Sequence, residues 1–174
     1  MKSTPAATAA DAASPWADPG EAGEQLALED FPTFLFVRLA SAMQRDVTAG
    51  YLADFELNAS QWRVLAALAA YTPIPFSELV KLSMSDKALV SRSVQALAES
   101  GLALVEADPG HGKKLVCAIT PKGKALYKRV LPKAQAAQAD ILFKLERDER
   151  IALHSALLKL RDAFGAVPEA LSKT

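Results

Sequence analysis

The sequence predicts a mainly α-helical fold carrying one small β-hairpin, and three observations point that way. Apolar residues recur at helical spacing along most of residues 31–165. The period changes to two only around residues 102–119. Residues suited to helix starts and stops stand where the periods change. With 174 residues, 51% of them hydrophobic and 23% charged, the chain is sized for one domain with a real core, with room for loose ends.

Met1 to about Gln25 is rich in Ala, Ser, Pro and Asp and poor in large apolar side chains, so it has too little to bury to offset the entropy of ordering. Residues 1–29 are expected to form a disordered acidic tail. Phe31 to Leu52 carries Phe34, Leu35, Val37, Leu39, Met43, Val47 and Leu52, a stripe broad enough for one helix buried on several sides. Asn58 and Gln61 have the spacing of a capping box, and Trp62, Leu65 and Leu68 follow at helical spacing in a second helix that ends by Thr72-Pro73.

Pro75 suits a helix start, and Phe76, Leu79, Val80 and Leu82 give the apolar side of a short helix that stops at Ser83-Met84-Ser85. Ser85 or Asp86 can cap the next helix, in which Val90, Val94 and Leu97 share a face, and Gly101 stands where a helix end favours positive φ. Two short helices joined by a tight turn make a helix-turn-helix. At 100° per residue the side opposite Val90, Val94 and Leu97 presents Ala88, Arg92 and Gln95, flanked by Lys87 and Ser91.

Alternation then gives two strands, with Leu102, Leu104 and Glu106 on one face of the first and Leu115, Cys117 and Ile119 on one face of the second. Asp108-Pro109-Gly110-His111-Gly112-Lys113 joins them as a flexible basic tip, a wing. Thr120-Pro121 is a cap followed by a first-turn proline, opening a long helix through Leu126, Val130, Ile141 and Leu145 with a bend expected at Pro132. Leu153, Leu157, Leu160 and Phe164 mark a last helix, and no internal repeat is visible.

The net charge of zero conceals an asymmetry. Residues 1–30 hold one base against six acids, residues 31–74 and 134–174 are each balanced, and the compensating positive charge lies within residues 75–133. Pro109 to Lys133 contains seven bases and no carboxylate, the footprint of a surface facing phosphates. The longest apolar run, Val64 to Tyr71, is far short of a membrane span, and no N-terminal stretch resembles a secretion signal, so a cytoplasmic location is expected. One cysteine and two distant histidines fit neither a disulfide nor a metal site; no metal or cofactor is expected. An enzyme is disfavoured because the chain lacks a paired nucleophile and base and a phosphate-cradling loop.

The order of these parts resembles the MarR family of bacterial transcription regulators. Asn58-Ala-Ser-Gln-Trp-Arg-Val-Leu65 is similar to the opening of that family's second helix, and Asp86-Lys-Ala-Leu-Val-Ser-Arg-Ser-Val-Gln-Ala-Leu97 to its recognition helix. Gly101-Leu102 and Ile119-Thr-Pro-Lys-Gly123 stand at the expected places, and the resemblance covers about residues 30–165. At the wing, where the family commonly has an Asp-Arg pair, this chain has Gly110-His-Gly-Lys-Lys114, and lysines lack arginine's planar fork.

The resemblance implies a winged helix-turn-helix lobe at residues 57–120, with residues 30–56 and 121–174 as N- and C-terminal helices of a dimerisation region. It also implies a homodimeric, bacterial, cytoplasmic regulator, by default a repressor, on inverted-repeat double-stranded DNA. The recognition helix would span about residues 85–99 and the basic wing about residues 108–114. Arg92 is the candidate base reader; Lys87, Ser91, Lys113 and Lys114 are candidate phosphate contacts; Ser85, Ala88, Gln95 and His111 complete the surface. For many relatives a small aromatic or amphipathic acid is the effector, and Trp62 is the candidate pocket residue, against the alternative that it is core. Cys117, in phase with Leu115 and Ile119, is expected to be a buried inert thiol. The competing function is a winged helix that binds only protein, which would not need the carboxylate-free stretch.

Overall fold

A computed structural model of the chain describes residues 14–83, 85–108 and 111–165, with Asp108 and residues 111–113 described in backbone alone. By its contacts the chain divides into two units, Met1–Asp46 and Val47–Thr174.

In the first unit, residues 14–27 run through turns into a short 3-10 helix, Leu28–Asp30. Trp16 Nε1 donates to the Asp30 carbonyl at 2.6 Å, so the described part of the acidic segment has a defined, folded-back path. Helix α1, Pro32–Met43, starts at a proline, which has no backbone N–H to leave unsatisfied. None of its residues is buried, and Phe34, Leu35, Val37 and Leu39 are all exposed. The single helix expected over 31–52 is instead broken by a π-helical turn, Gln44–Thr48, before α2, Ala49–Leu52. A π turn inserts one residue and shifts the helical phase by about 100°, and the breadth of the apolar stripe masks that shift in the sequence.

The second unit holds the core. After α2 and a 3-10 turn, Ala53–Phe55, Glu56 adopts a left-handed φ of 54° and ends the helical path. Helix α3, Ala59–Tyr71, starts with the expected capping box: Gln61 N donates to Asn58 Oδ1 and Asn58 N to Gln61 Oε1, both at 2.9 Å. Its Trp62, Val64, Leu65 and Leu68 are buried.

Ile74–Pro75 forms a short strand, β1, so Pro75 does not open the next helix. Helix α4 spans Phe76–Ser83 and α5 spans Lys87–Glu99. The α5 cap is Asp86, whose Oδ1 accepts from Leu89 N at 2.8 Å. Val90, Val94 and Leu97 of α5 are buried, as the apolar face required, and Ser93 is buried with them. Strands β2, Ala103–Asp108, and β3, His111–Ile119, form the hairpin. The sheet is antiparallel in the order β1-β3-β2, with Ile74 opposite Cys117 and Val105 opposite Cys117 on the other side. The third strand was invisible in the sequence because two residues carry no period. Cys117 and Ile119 are buried, whereas Leu115, in phase with them, is exposed.

Helix α6, Pro121–Leu142, is capped by Thr120, whose Oγ1 accepts from Gly123 N at 2.9 Å, and it contains Pro132 without ending there. It stops before Leu145, the residue expected to lie within it. Helix α7 spans Arg147–Ala163; Ile151, Leu153, Leu157 and Leu160 are exposed, and Phe164 follows its last turn. Helix α3 packs on α4, α5 and α6, and the core is continuous from Leu52 through Trp62, Leu68, Leu79, Val90, Leu97 and Cys117 to Val130. No described helix is long and apolar enough to cross a membrane.

Candidate nucleic-acid interface

The outward face of α5 follows from its buried one. With Val90, Ser93, Val94 and Leu97 turned inward, the 100° step leaves Lys87, Ala88, Ser91, Arg92 and Gln95 exposed, and all five are. The hairpin brings a second cation to this face. Lys87, Ser91 and Gln95 of α5 line one open groove of about 590 Å³ together with Lys114 of β3, over a floor that includes Phe76, Val94 and Leu115. Arg92 and Ala88 lie on the exposed side of α5 outside that lining. The sequence-predicted wing residues His111 and Lys113 belong to β3, but their side chains lie outside the described residues, as do Pro109 and Gly110.

Two predicted residues carry contacts within the chain. Gln95 Nε2 donates to Glu99 Oε1 at 2.9 Å, one turn along α5. Ser85 is half-buried in the turn between α4 and α5; its hydroxyl donates to the Ser83 carbonyl at 3.0 Å and accepts from Arg63 Nη1 at 3.2 Å. Arg63 thus reaches from α3 to the turn that sets where α5 begins, and Ser83 is itself tied to the Leu79 carbonyl at 2.6 Å. Sequence inspection missed this role of Arg63 because the two residues stand 22 positions apart.

Trp62 packs in an aromatic cluster: its ring stacks on Tyr127 with centroids 5.6 Å apart and meets Tyr51 edge-on at 6.4 Å. It is 8% exposed. A second open cavity, about 410 Å³, lies at the start of α3 and is lined by Glu56, Gln61, Lys122 and Arg129 among others, not by Trp62. Asp54, also in its lining, accepts from Lys133 Nζ through Oδ2 at 2.6 Å, and that bond and charge hold the Asp54 carboxyl below its ordinary pKa. Cys117 is free and buried, and desolvation raises its thiol pKa. No group of metal-ligating side chains is found among the described residues.

Comparison with known proteins agrees with this geometry. The model of the MarR family matches residues 55–114, the stretch from the turn before α3 through the hairpin. That match covers about a third of the chain, and over most of the chain the fold is similar to that of MarR-family transcriptional regulators. The structure of BpsR from Bordetella bronchiseptica, described for the regulation of its DNA binding by 6-hydroxynicotinic acid, aligns with a TM-score of 0.70 and 26% identity over 79% of this chain and 97% of that one. A probable transcriptional regulator from Pseudomonas aeruginosa aligns with a TM-score of 0.68 and 26% identity over 77% of this chain and 99% of that one. A mutant MarR from E. coli, complexed with operator DNA, shares the fold with a TM-score of 0.68 at 20% identity, covering 78% of this chain and 99% of that one. No curated protein matches by sequence. The family match spans α3, α4, α5 and its turn, and reaches into the hairpin.

Proposed function

We propose that the protein is a homodimeric repressor of transcription that binds an inverted repeat in double-stranded DNA and performs no catalysis. The observation that carries this is the convergence of Lys87, Ser91 and Gln95 with Lys114 on one groove, beside an exposed Arg92. Helix α5 enters the major groove, Arg92 reads a base edge, and Lys87, Ser91, Lys113 and Lys114 bind phosphates, with Ala88 and His111 at the margin. Ser85 serves by holding the turn. In this assignment residues 57–120 are the DNA-binding lobe, and residues 30–56 and 121–174 supply the dimer contacts.

The exposed apolar residues of α1 and the Leu153, Leu157, Leu160 and Phe164 row of the C-terminal segment support dimerisation, since clustered exposed apolar side chains mark interaction surfaces. A two-fold dimer presents its recognition helices to successive major grooves about 34 Å apart. The reading includes a cytoplasmic location, where such DNA is met, and control by a small aromatic acid. Regulation of BpsR by 6-hydroxynicotinic acid supports the latter. Trp62, stacked on Tyr127 of α6, reports such a ligand through its fluorescence and bounds its site only if the ring becomes uncovered.

Selection of duplexes from a random library, followed by sedimentation of free and bound protein, tests the proposal. Enrichment of a palindromic site bound by two chains is expected. A monomer at micromolar concentration, or a bound population with no common sequence, overturns it.

A further inference from the structure

The junction between α5 and α6 is bonded more densely than chain connection requires. Three successive carbonyls at the C-terminal end of the recognition helix each accept a bond from the start of α6. Lys122 Nζ donates to the Ser100 carbonyl at 2.7 Å, Thr120 Oγ1 to the Gly101 carbonyl at 2.8 Å, and Thr120 N to the Leu102 carbonyl at 3.1 Å. Ser100 is the C-cap of α5, where intrahelical partners run out and a cation is favoured, and Gly101 and Leu102 follow it directly.

Thr120 serves both helices at once, since the same Oγ1 accepts from Gly123 N as the cap of α6. Gly123 closes the contact: a Cβ there would meet the Leu102 carbonyl oxygen at 2.1 Å, so no larger residue fits without moving the two backbones apart. Gly101 supplies the positive φ of 69° that turns the chain out of α5.

We propose that Thr120, Lys122 and Gly123 form a clasp that fixes the recognition helix to α6, and that this clasp sets the half-site spacing the DNA-bound dimer accepts. The inference rests on the DNA-binding reading above. Its force comes from leverage. Helix α6 has 22 residues and is therefore about 33 Å long. A rotation of about 10° at the clasp moves its far end by about 6 Å, more than the roughly 3.4 Å rise of one base pair. Packing on α3 also holds α6, so the clasp adds its rigidity to that packing, and a dimer joined through the helices beyond it discriminates spacing more sharply when the clasp is intact. The residues act through α5, and none of them touches DNA in this account; they are positioning residues.

The experiment uses the full-length chain and the best duplex it selects from a random library, with the spacer between half-sites then lengthened or shortened by one or two base pairs. A duplex retaining one half-site serves as the reference. Wild type is expected to lose about tenfold in affinity for each change of spacer. Lys122→Met and Thr120→Val should flatten that profile to about threefold while single-half-site affinity stays within about twofold, and Lys122→Arg, which keeps a donor, should restore the slope. Lys122 is exposed, so its variant keeps the core intact and tests the clasp even where Thr120→Val fails to fold. Variants that keep the wild-type spacing profile, with affinities unchanged or lowered in parallel, overturn the clasp alone. A wild-type chain that selects no duplex overturns the DNA-binding reading and the clasp with it.

Discussion

Arg92→Ala separates sequence reading from charge at this surface. Arg92 is exposed on α5 while the buried side of that helix is carried by Val90, Ser93, Val94 and Leu97, so truncation leaves the core untouched. A change in unfolding within about 0.5 kcal/mol is expected. If its guanidinium makes a bidentate contact to a base edge, its loss costs about 1–3 kcal/mol per half-site, or about 5- to 150-fold. That loss falls on the selected duplex and spares random DNA, and discrimination relaxes at one base position in each half-site. Lys114→Ala is the counterpart. It removes one cation per chain, two per dimer, so affinity for all sequences falls alike and the slope of log affinity against log salt flattens by about 1.8. Fluorescence anisotropy on both duplexes across a salt series reads the affinities and the slopes, and duplexes substituted at single positions read the discrimination. Equal loss on selected and random DNA by Arg92→Ala would refute the base-reading role and make Arg92 another phosphate contact.

Other outcomes follow from the packing. Trp62→Ala empties a site between Tyr51 and Tyr127 and should cost about 3–5 kcal/mol, a fall in Tm of roughly 6–20 °C by calorimetry; an unchanged Tm would contradict its core placement. Asn58→Ala removes the cap of α3 and should cost about 1 kcal/mol, leaving affinity for DNA unaltered once the protein is folded. Cys117 should resist a thiol reagent near pH 8 in the native protein and react only on unfolding, because burial disfavours its thiolate; rapid native labelling would refute that burial.

Local chemistry was legible wherever a residue acts on its own neighbours. The Asn58/Gln61 box, the Thr120 cap and the positive φ at Gly101 lie within a few residues of what they satisfy, and each forms as expected. The exposed face of α5 was legible for the same reason, since one helical period fixes both of its sides. What stayed hidden depends on distance in the chain or on single-residue irregularity. Strand β1 is defined only by its pairing with Cys117 and Val116 more than forty residues away, and the phase shift of the π turn at Gln44–Thr48 is masked by an apolar stripe broad enough to fit either phase. The bonds from Arg63 to Ser85 and from Lys122 to Ser100 join elements that only folding brings together. Lys122 and Gly123 stood in the sequence as parts of a family-like string, and their physical role became visible only beside the Ser100 to Leu102 carbonyls.

The central claim is that two α5 helices of a dimer occupy successive major grooves. Hydroxyl-radical footprinting and guanine-methylation interference on the DNA flanking the protein's own gene test it most directly. Two dyad-related protected patches on one face of the duplex, centred about 10 base pairs apart, with interference at a guanine in each half, are predicted. Uniform protection without a dyad, or no protection at a salt concentration where random DNA is released, would contradict it.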